Sequence, residues 1–181
     1  YYTPKLYAQK SIELVRKAIK RVPKGNDYVI IDRCAGTGNL EAELTTEELG
    51  HCIVSTIEYY EYKVLQELIG DKVLHMIPPK EEKDTFNAGL VQGSNALTEE
   101  YLENPIIKQY LEDPKYTIIL FENPPYSEPT SIEYHKKNAS RKASYYVINE
   151  MKKETKGATS NDIGNVFNIK RNTIVKVNIF D

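Results

Sequence analysis

The chain has 181 residues, 40% hydrophobic and 28% charged, with 24 Lys and Arg against 26 Asp and Glu for a net charge of −2. Such values describe one domain with a real core, and they exclude a protein that clings to nucleic acid through bulk electrostatics alone. No apolar run approaches a membrane-spanning length, and no signal-peptide pattern is present. Cys34 and Cys52 form no metal-ligand pair with the scattered His51, His75 and His135, so the expected setting is reducing and cytoplasmic, without a metal. The first residue is Tyr1 rather than Met, which points to a piece of a longer protein or a processed one.

Along the chain, Ile12, Leu14, Val15, Ala18 and Ile19 have amphipathic spacing and predict a helix over residues 11–21, ended by Pro23-Lys24-Gly25-Asn26. A strand is predicted at 28–32. The loop Arg33-Cys34-Ala35-Gly36-Thr37-Gly38-Asn39 and a helix to about residue 49 follow, then a second strand at 53–57 ending at Glu58. A helix over 59–69 leads to a loop at 78–84, a short strand near 86–91 and a helix around 98–111. The apolar run 117–121 is predicted as a buried strand. Strands alternating with helices predict a mainly parallel sheet, doubly wound and covered on both faces.

At the carboxyl end of that last strand stands Asn123-Pro124-Pro125-Tyr126. Open α/β sheets bind ligands at this end of their strands. Pro124 restrains Asn123, and the two prolines fix their own angles, so the Asn123 amide and nearby carbonyls form an array able to grip an amino group. Tyr126 offers a flat face for stacking a planar group. Beyond it the sequence predicts a helix over 139–153, a loop at 156–162, and a half-buried strand over 173–180, which with 166–169 suits an antiparallel hairpin. Charge is uneven: residues 1–134 carry 14 basic against 22 acidic side chains, and residues 135–181 carry 10 against 4. The basic tail is either a solvated face or a strip that contacts phosphates.

The segment Asp32 to Gly38 ends the first strand and opens a helix, where glycines admit a ligand close to backbone N–H groups. It is not the dinucleotide fingerprint, because Glu41 stands where the third glycine belongs, and a carboxylate suits a pyrophosphate poorly. A cofactor without phosphates is favoured. Glu58, at the end of the second strand, is placed to bind the two ribose hydroxyls of a nucleoside cofactor.

In this order the motifs resemble the S-adenosylmethionine-dependent DNA methyltransferases that act on N6 of adenine, over about residues 1–130. Tyr2-Thr3-Pro4 resembles the family's N-terminal motif at the methionine end of the cofactor, Asp32, Ala35, Gly36 and Gly38 its glycine-rich loop, and Glu58 its ribose-binding acid. Asn95 and Ala96 fall where the family contacts the cofactor's adenine, with Asn95 replacing an acid whose hydrogen bond an amide carbonyl still accepts. Asn123, Pro124, Pro125 and Tyr126 resemble the catalytic motif, and Asn123 also borders the cofactor. The order is similar to the gamma arrangement.

The resemblance implies a Rossmann-like class I methyltransferase fold, with residues 1–181 forming a catalytic domain without a visible target-recognition domain. It implies transfer of a methyl group from S-adenosylmethionine to a flipped-out adenine of DNA, in a prokaryotic restriction-modification system with a restriction or specificity partner. Asn123 and the Pro124 carbonyl hold the amino group, and Tyr126 stacks on the base. Cytosine N4, an RNA base or protein glutamine as acceptor, and a non-catalytic cofactor-binding remnant, remain alternatives.

Overall fold

The computed structural model describes residues 3–79, 96 and 99–124, together with the backbone of residues 174–177. Helix α1 spans Lys5–Ile19 and buries Ala8, Ser11, Ile12, Val15 and Ala18 along one stripe. It starts six residues before the predicted helix. Pro4 at its N-cap accepts from the Tyr7 and Ala8 N–H groups through its carbonyl at 3.0 and 3.1 Å, while the exposed Leu6 and Tyr7 hide the helical pattern in this first turn.

Strand β1 is Asp27–Asp32. A 3₁₀ turn at Glu41–Glu43 and the short helix α2, Thr46–Leu49, replace the single helix expected after the glycine loop. Thr45 and Glu48 close α2 with a reciprocal capping box. Strand β2 is Cys52–Ser55, helix α3 Tyr59–Ile69 and strand β3 His75–Ile77. The strand expected near residues 86–91 lies outside the described residues, and β3 occupies a stretch that the sequence reading left unassigned. The helix expected over 98–111 is divided into α4, Glu99–Glu103, and α5, Pro105–Glu112. The division is chemical: the Asn104 side chain accepts from the Ile106 N–H at 2.9 Å, and Pro105 occupies the position where a missing N–H costs nothing.

Strand β4 is Tyr116–Phe121 and strand β5 is Ile174–Val177. The described strands form one sheet of order β3-β2-β1-β4-β5. Every pairing is parallel, including β4 with β5. The antiparallel C-terminal strand is thereby corrected. Parallel pairing needs a crossover of a dozen residues or more, and the chain between Phe121 and Ile174 is ample for one. The partner expected at 166–169, the helix at 139–153 and the basic tail apart from β5 lie outside the described residues.

Alternate residues of each strand face opposite layers. Ile30, Cys52, Val54, Ile119 and Phe121 pack with α1 and with Leu65 and Ile69 of α3. Val29, Ile31, Ile53, Ile77, Ile118 and Leu120 pack with Tyr101 of α4 and Ile107 of α5. Winding runs from β1 to β3 on one side, then reverses to β4 on the other. Right-handed crossovers require the helices to change face at that reversal, and they do. The α/β, parallel expectation agrees with this arrangement. No helix among the described residues is long and apolar enough to cross a membrane.

Ile119 is fully buried whereas Ile57 is 57% exposed. Ile119→Ala is therefore expected to lower unfolding free energy by about 2–5 kcal/mol, and Ile57→Ala by under about 0.5 kcal/mol, in urea titrations followed by circular dichroism.

Candidate functional site

Reversal of the winding leaves a crevice between the carboxyl ends of β1 and β4, the two central strands. The loop leaving β1 forms its floor. Asp32 Oδ1 accepts from the Cys34 N–H at 2.7 Å and turns the chain sharply. The Ala35 N–H then donates to the Ser55 carbonyl at 3.0 Å, tying the loop to the end of β2. Gly36 and Gly38 take φ of 56° and 87°, a region that side chains avoid. A Cβ on Gly38 would lie 2.9 Å from Leu65 Cδ1, so this glycine lets the loop settle on α3. A Cβ on Gly36 would approach only Glu61 Oε1, at 4.0 Å, and would otherwise project into open space.

That space is a cavity of ≈ 180 Å³ lined by Thr3, Cys34, Ala35, Gly36, Thr37, Asn39, Leu40, Glu61 and Asn123. Three distant parts of the chain meet there. The Asn123 side-chain NH2 donates to Thr3 Oγ1 at 2.8 Å, joining the entry of α1 to the exit of β4. Arg33 and Glu122 form a two-pronged ion pair, with Nε to Oε2 at 2.8 Å and a second bond from Nη2 to Oε1. Their side chains are only 15% and 9% exposed, so the pair is largely sheltered from water. Burial alone would lower the Arg33 pKa, but the Glu122 charge and hydrogen bonds outweigh it and raise it.

Behind the loop lie two buried carboxyls, Asp32 and Glu41, each 1% exposed. Among the described residues, Asp32 Oδ2 and Glu41 Oε2 receive no N–H or hydroxyl donor. The carboxyls instead interact with each other, which is favourable only if one carries a proton. Burial, then the charge of Glu41, raises Asp32 well above its ordinary value. Burial raises Glu41 from 4.5 to about 7. The Cys34 thiol is also pushed well up, by burial and then by Glu122, and so stays protonated.

Of the residues singled out from the sequence, Thr3, Ala35, Gly36 and Asn123 share the cavity wall. Pro4 and Pro124 stand next to it in the chain. Asp32 and Gly38 shape the loop from behind rather than line the space. Glu58 is exposed at the N-cap of α3, where its backbone carbonyl accepts from the Tyr62 N–H at 3.0 Å. Glu61, one turn further on, is the carboxylate that reaches the cavity, held by the Thr56 hydroxyl at 2.8 Å. Sequence reading passed over it, although residues three apart in a helix share a face. Ala96 is buried and is not part of the wall. Tyr2, Asn95, Pro125 and Tyr126 lie outside the described residues. No cluster of three metal-ligating side chains occurs among the described residues.

The fold defines a class, a parallel doubly wound α/β protein, here with a polar-lined cavity at its switch point. Comparison with family models, curated proteins and solved structures finds no match to this chain.

The carboxyl pair sets a pH dependence. Both folded-state pKa values are raised, so the native state keeps protons that the unfolded chain releases, for Glu41 between about pH 4.5 and 7. The pair's contribution to stability is therefore fullest below that window and falls as pH rises through it, by up to about 1.4 kcal/mol per pH unit for the Glu41 proton. Glu41→Gln, whose amide can donate to Asp32, is expected to flatten the fall and raise stability at pH 8, read by urea unfolding across the pH range.

Proposed function

We propose that this chain is the catalytic part of an S-adenosylmethionine-dependent methyltransferase acting on the N6 amino group of adenine in DNA, as the modification arm of a restriction-modification system. The observation that carries the reading is the convergence of Thr3, the Gly36 loop and Asn123 on one cavity at the switch point. These are three of the motifs that the sequence resemblance singles out, and they are separated by as much as 120 residues.

The residues present fit one end of such a cofactor. An open volume where Gly36 lacks a side chain admits a ligand against the loop, and Glu61 supplies a carboxylate able to accept from a ribose diol or an ammonium. Thr3 and Asn39 add side-chain donors and acceptors. A cavity of ≈ 180 Å³ is smaller than a pocket for a whole drug-sized molecule, so it receives part of the cofactor. Bound there, S-adenosylmethionine supplies a methyl group activated on a sulfonium.

The chain's own task is alignment. An exocyclic amino nitrogen is a weak nucleophile because its lone pair is delocalised into the ring. Hydrogen bonds from that NH2 to Asn123 Oδ1 and the Pro124 carbonyl favour a tetrahedral nitrogen and direct its lone pair out of the ring plane. Fixed dipoles and positioning supply the stabilisation, and no strong base is required because the nitrogen releases its proton after alkylation. Arg33 and Glu122 hold the two strand ends at a constant separation, so this geometry is set before a ligand arrives.

Calorimetric titration with S-adenosylmethionine tests the reading. Saturable binding is expected, weakened about tenfold by Glu61→Gln, the scale of one hydrogen bond to a charged group, and weakened further by Gly36→Val, which both intrudes on the cavity and strains the loop at its positive φ. Asn123→Ala is expected to weaken cofactor binding by no more than about tenfold, the scale of the one hydrogen bond to Thr3, while losing methyl transfer to adenine-containing DNA by at least about a hundredfold. A folded chain with no binding would overturn the reading.

A further inference from the structure

We propose that Thr3 is a positioning residue that sets the orientation of the Asn123 amide, and that the cofactor cavity and the amino-gripping end of β4 are thereby coupled through the N-terminal segment. The inference rests on the reading above and assigns to Thr3 a task directed at the acceptor side of the site.

An asparagine amide has two chemically opposite ends, and only the oxygen can accept a hydrogen bond from an acceptor's NH2. A half-turn about the last side-chain bond would present the wrong end. In this structure the NH2 end of Asn123 is engaged by Thr3 Oγ1 at 2.8 Å, which directs Oδ1 to the other side of the group. A hydroxyl could also donate to Oδ1 in the flipped state. Thr3 also lines the cavity, so a ligand group that accepts the hydroxyl proton would leave Oγ1 as an acceptor toward Asn123 and favour the orientation seen here over the flipped one.

Thr3 is suited to this because its position is fixed from outside the site. Pro4 follows it as the N-cap of α1, with extended angles of φ −61° and ψ 143°, and its carbonyl is bonded into the first helical turn. α1 is in turn held on the sheet by Ala8, Ile12, Val15 and Ala18, all buried. Asn123 is fixed from the opposite side, between Glu122 in its ion pair and the restricted Pro124. Two independently anchored groups thus meet across one hydrogen bond, and what binds on the Thr3 side biases the Asn123 side by the same free energy in both directions.

The test uses side-chain amide NMR of the full 181-residue chain, with the Asn123 NH2 signals assigned by their loss in Asn123→Asp. Thr3→Val, which keeps the shape and removes the hydroxyl, is expected to shift these signals, to speed their exchange with water about tenfold, the scale of one hydrogen bond, and to abolish their response to added S-adenosylmethionine. Thr3→Ser is expected to restore all three. If Thr3→Val does not fold, the reciprocal reading serves: Asn123→Ala is expected to shift the Thr3 methyl signal. Unchanged Asn123 signals in folded Thr3→Val, or an unchanged Thr3 methyl in Asn123→Ala, overturn the inference. Failure of the functional reading looks different, since no S-adenosylmethionine then binds even to the unaltered chain.

Discussion

The ion pair between Arg33 and Glu122 is the constraint on which the rest of the site depends. Arg33 is the first residue after β1 and Glu122 the first after β4, so the pair spans the two central strands where their pairing ends. Beyond that point no ladder hydrogen bond holds the chains together. A planar guanidinium bonded through two nitrogens to both oxygens of one carboxylate fixes direction as well as distance, which a lysine could not do. Because the pair is sheltered, losing either partner would leave a charge stranded, at a cost of about 3–5 kcal/mol. Its neighbours inherit that rigidity, with the glycine loop on one side and Asn123 on the other.

Beneath this pair, the buried carboxyls of Asp32 and Glu41 explain why the loop departs from the dinucleotide pattern. A glycine at position 41 would let a helix approach a pyrophosphate. Here a full side chain is buried beside Asp32, where burial raises the pKa of both carboxyls, while Asp32 uses its other oxygen to turn the loop. The turn is thus shaped by a buried carboxyl pair inside the protein, and the outer face of the loop borders the cavity.

Much of this was legible in the sequence, and what was not has physical causes. The apolar runs of β1 and β4 declared themselves because both faces of a central parallel strand are buried, and the stripe of α1 because its buried residues recur at helical spacing. β3 is only three residues long, too short for a periodicity. Asn104-Pro105 carried a start signal for α5 that a continuous apolar pattern masked. The parallel direction of β5 depends on the route of its crossover, which no local pattern encodes. In the site, glycine and proline punctuation revealed the loop and the Asn123 motif. The contacts that unite them, Thr3 with Asn123 and Arg33 with Glu122, bridge 120 and 89 residues, and local spacing gives no access to them. Glu58 drew notice at a strand end, whereas helical geometry brings Glu61 to the cavity.

The central claim is that the crevice between β1 and β4 is the ligand site. Hydrogen exchange of backbone amides with and without S-adenosylmethionine tests it most directly. The account predicts slowed exchange on addition of the cofactor at amides 34–40 and 122–123, with little change in another cavity among the described residues, between α3 and β3 around Gln66, Asp71 and Met76. Saturable binding that protects that other cavity and leaves residues 34–40 and 122–123 unchanged would contradict it.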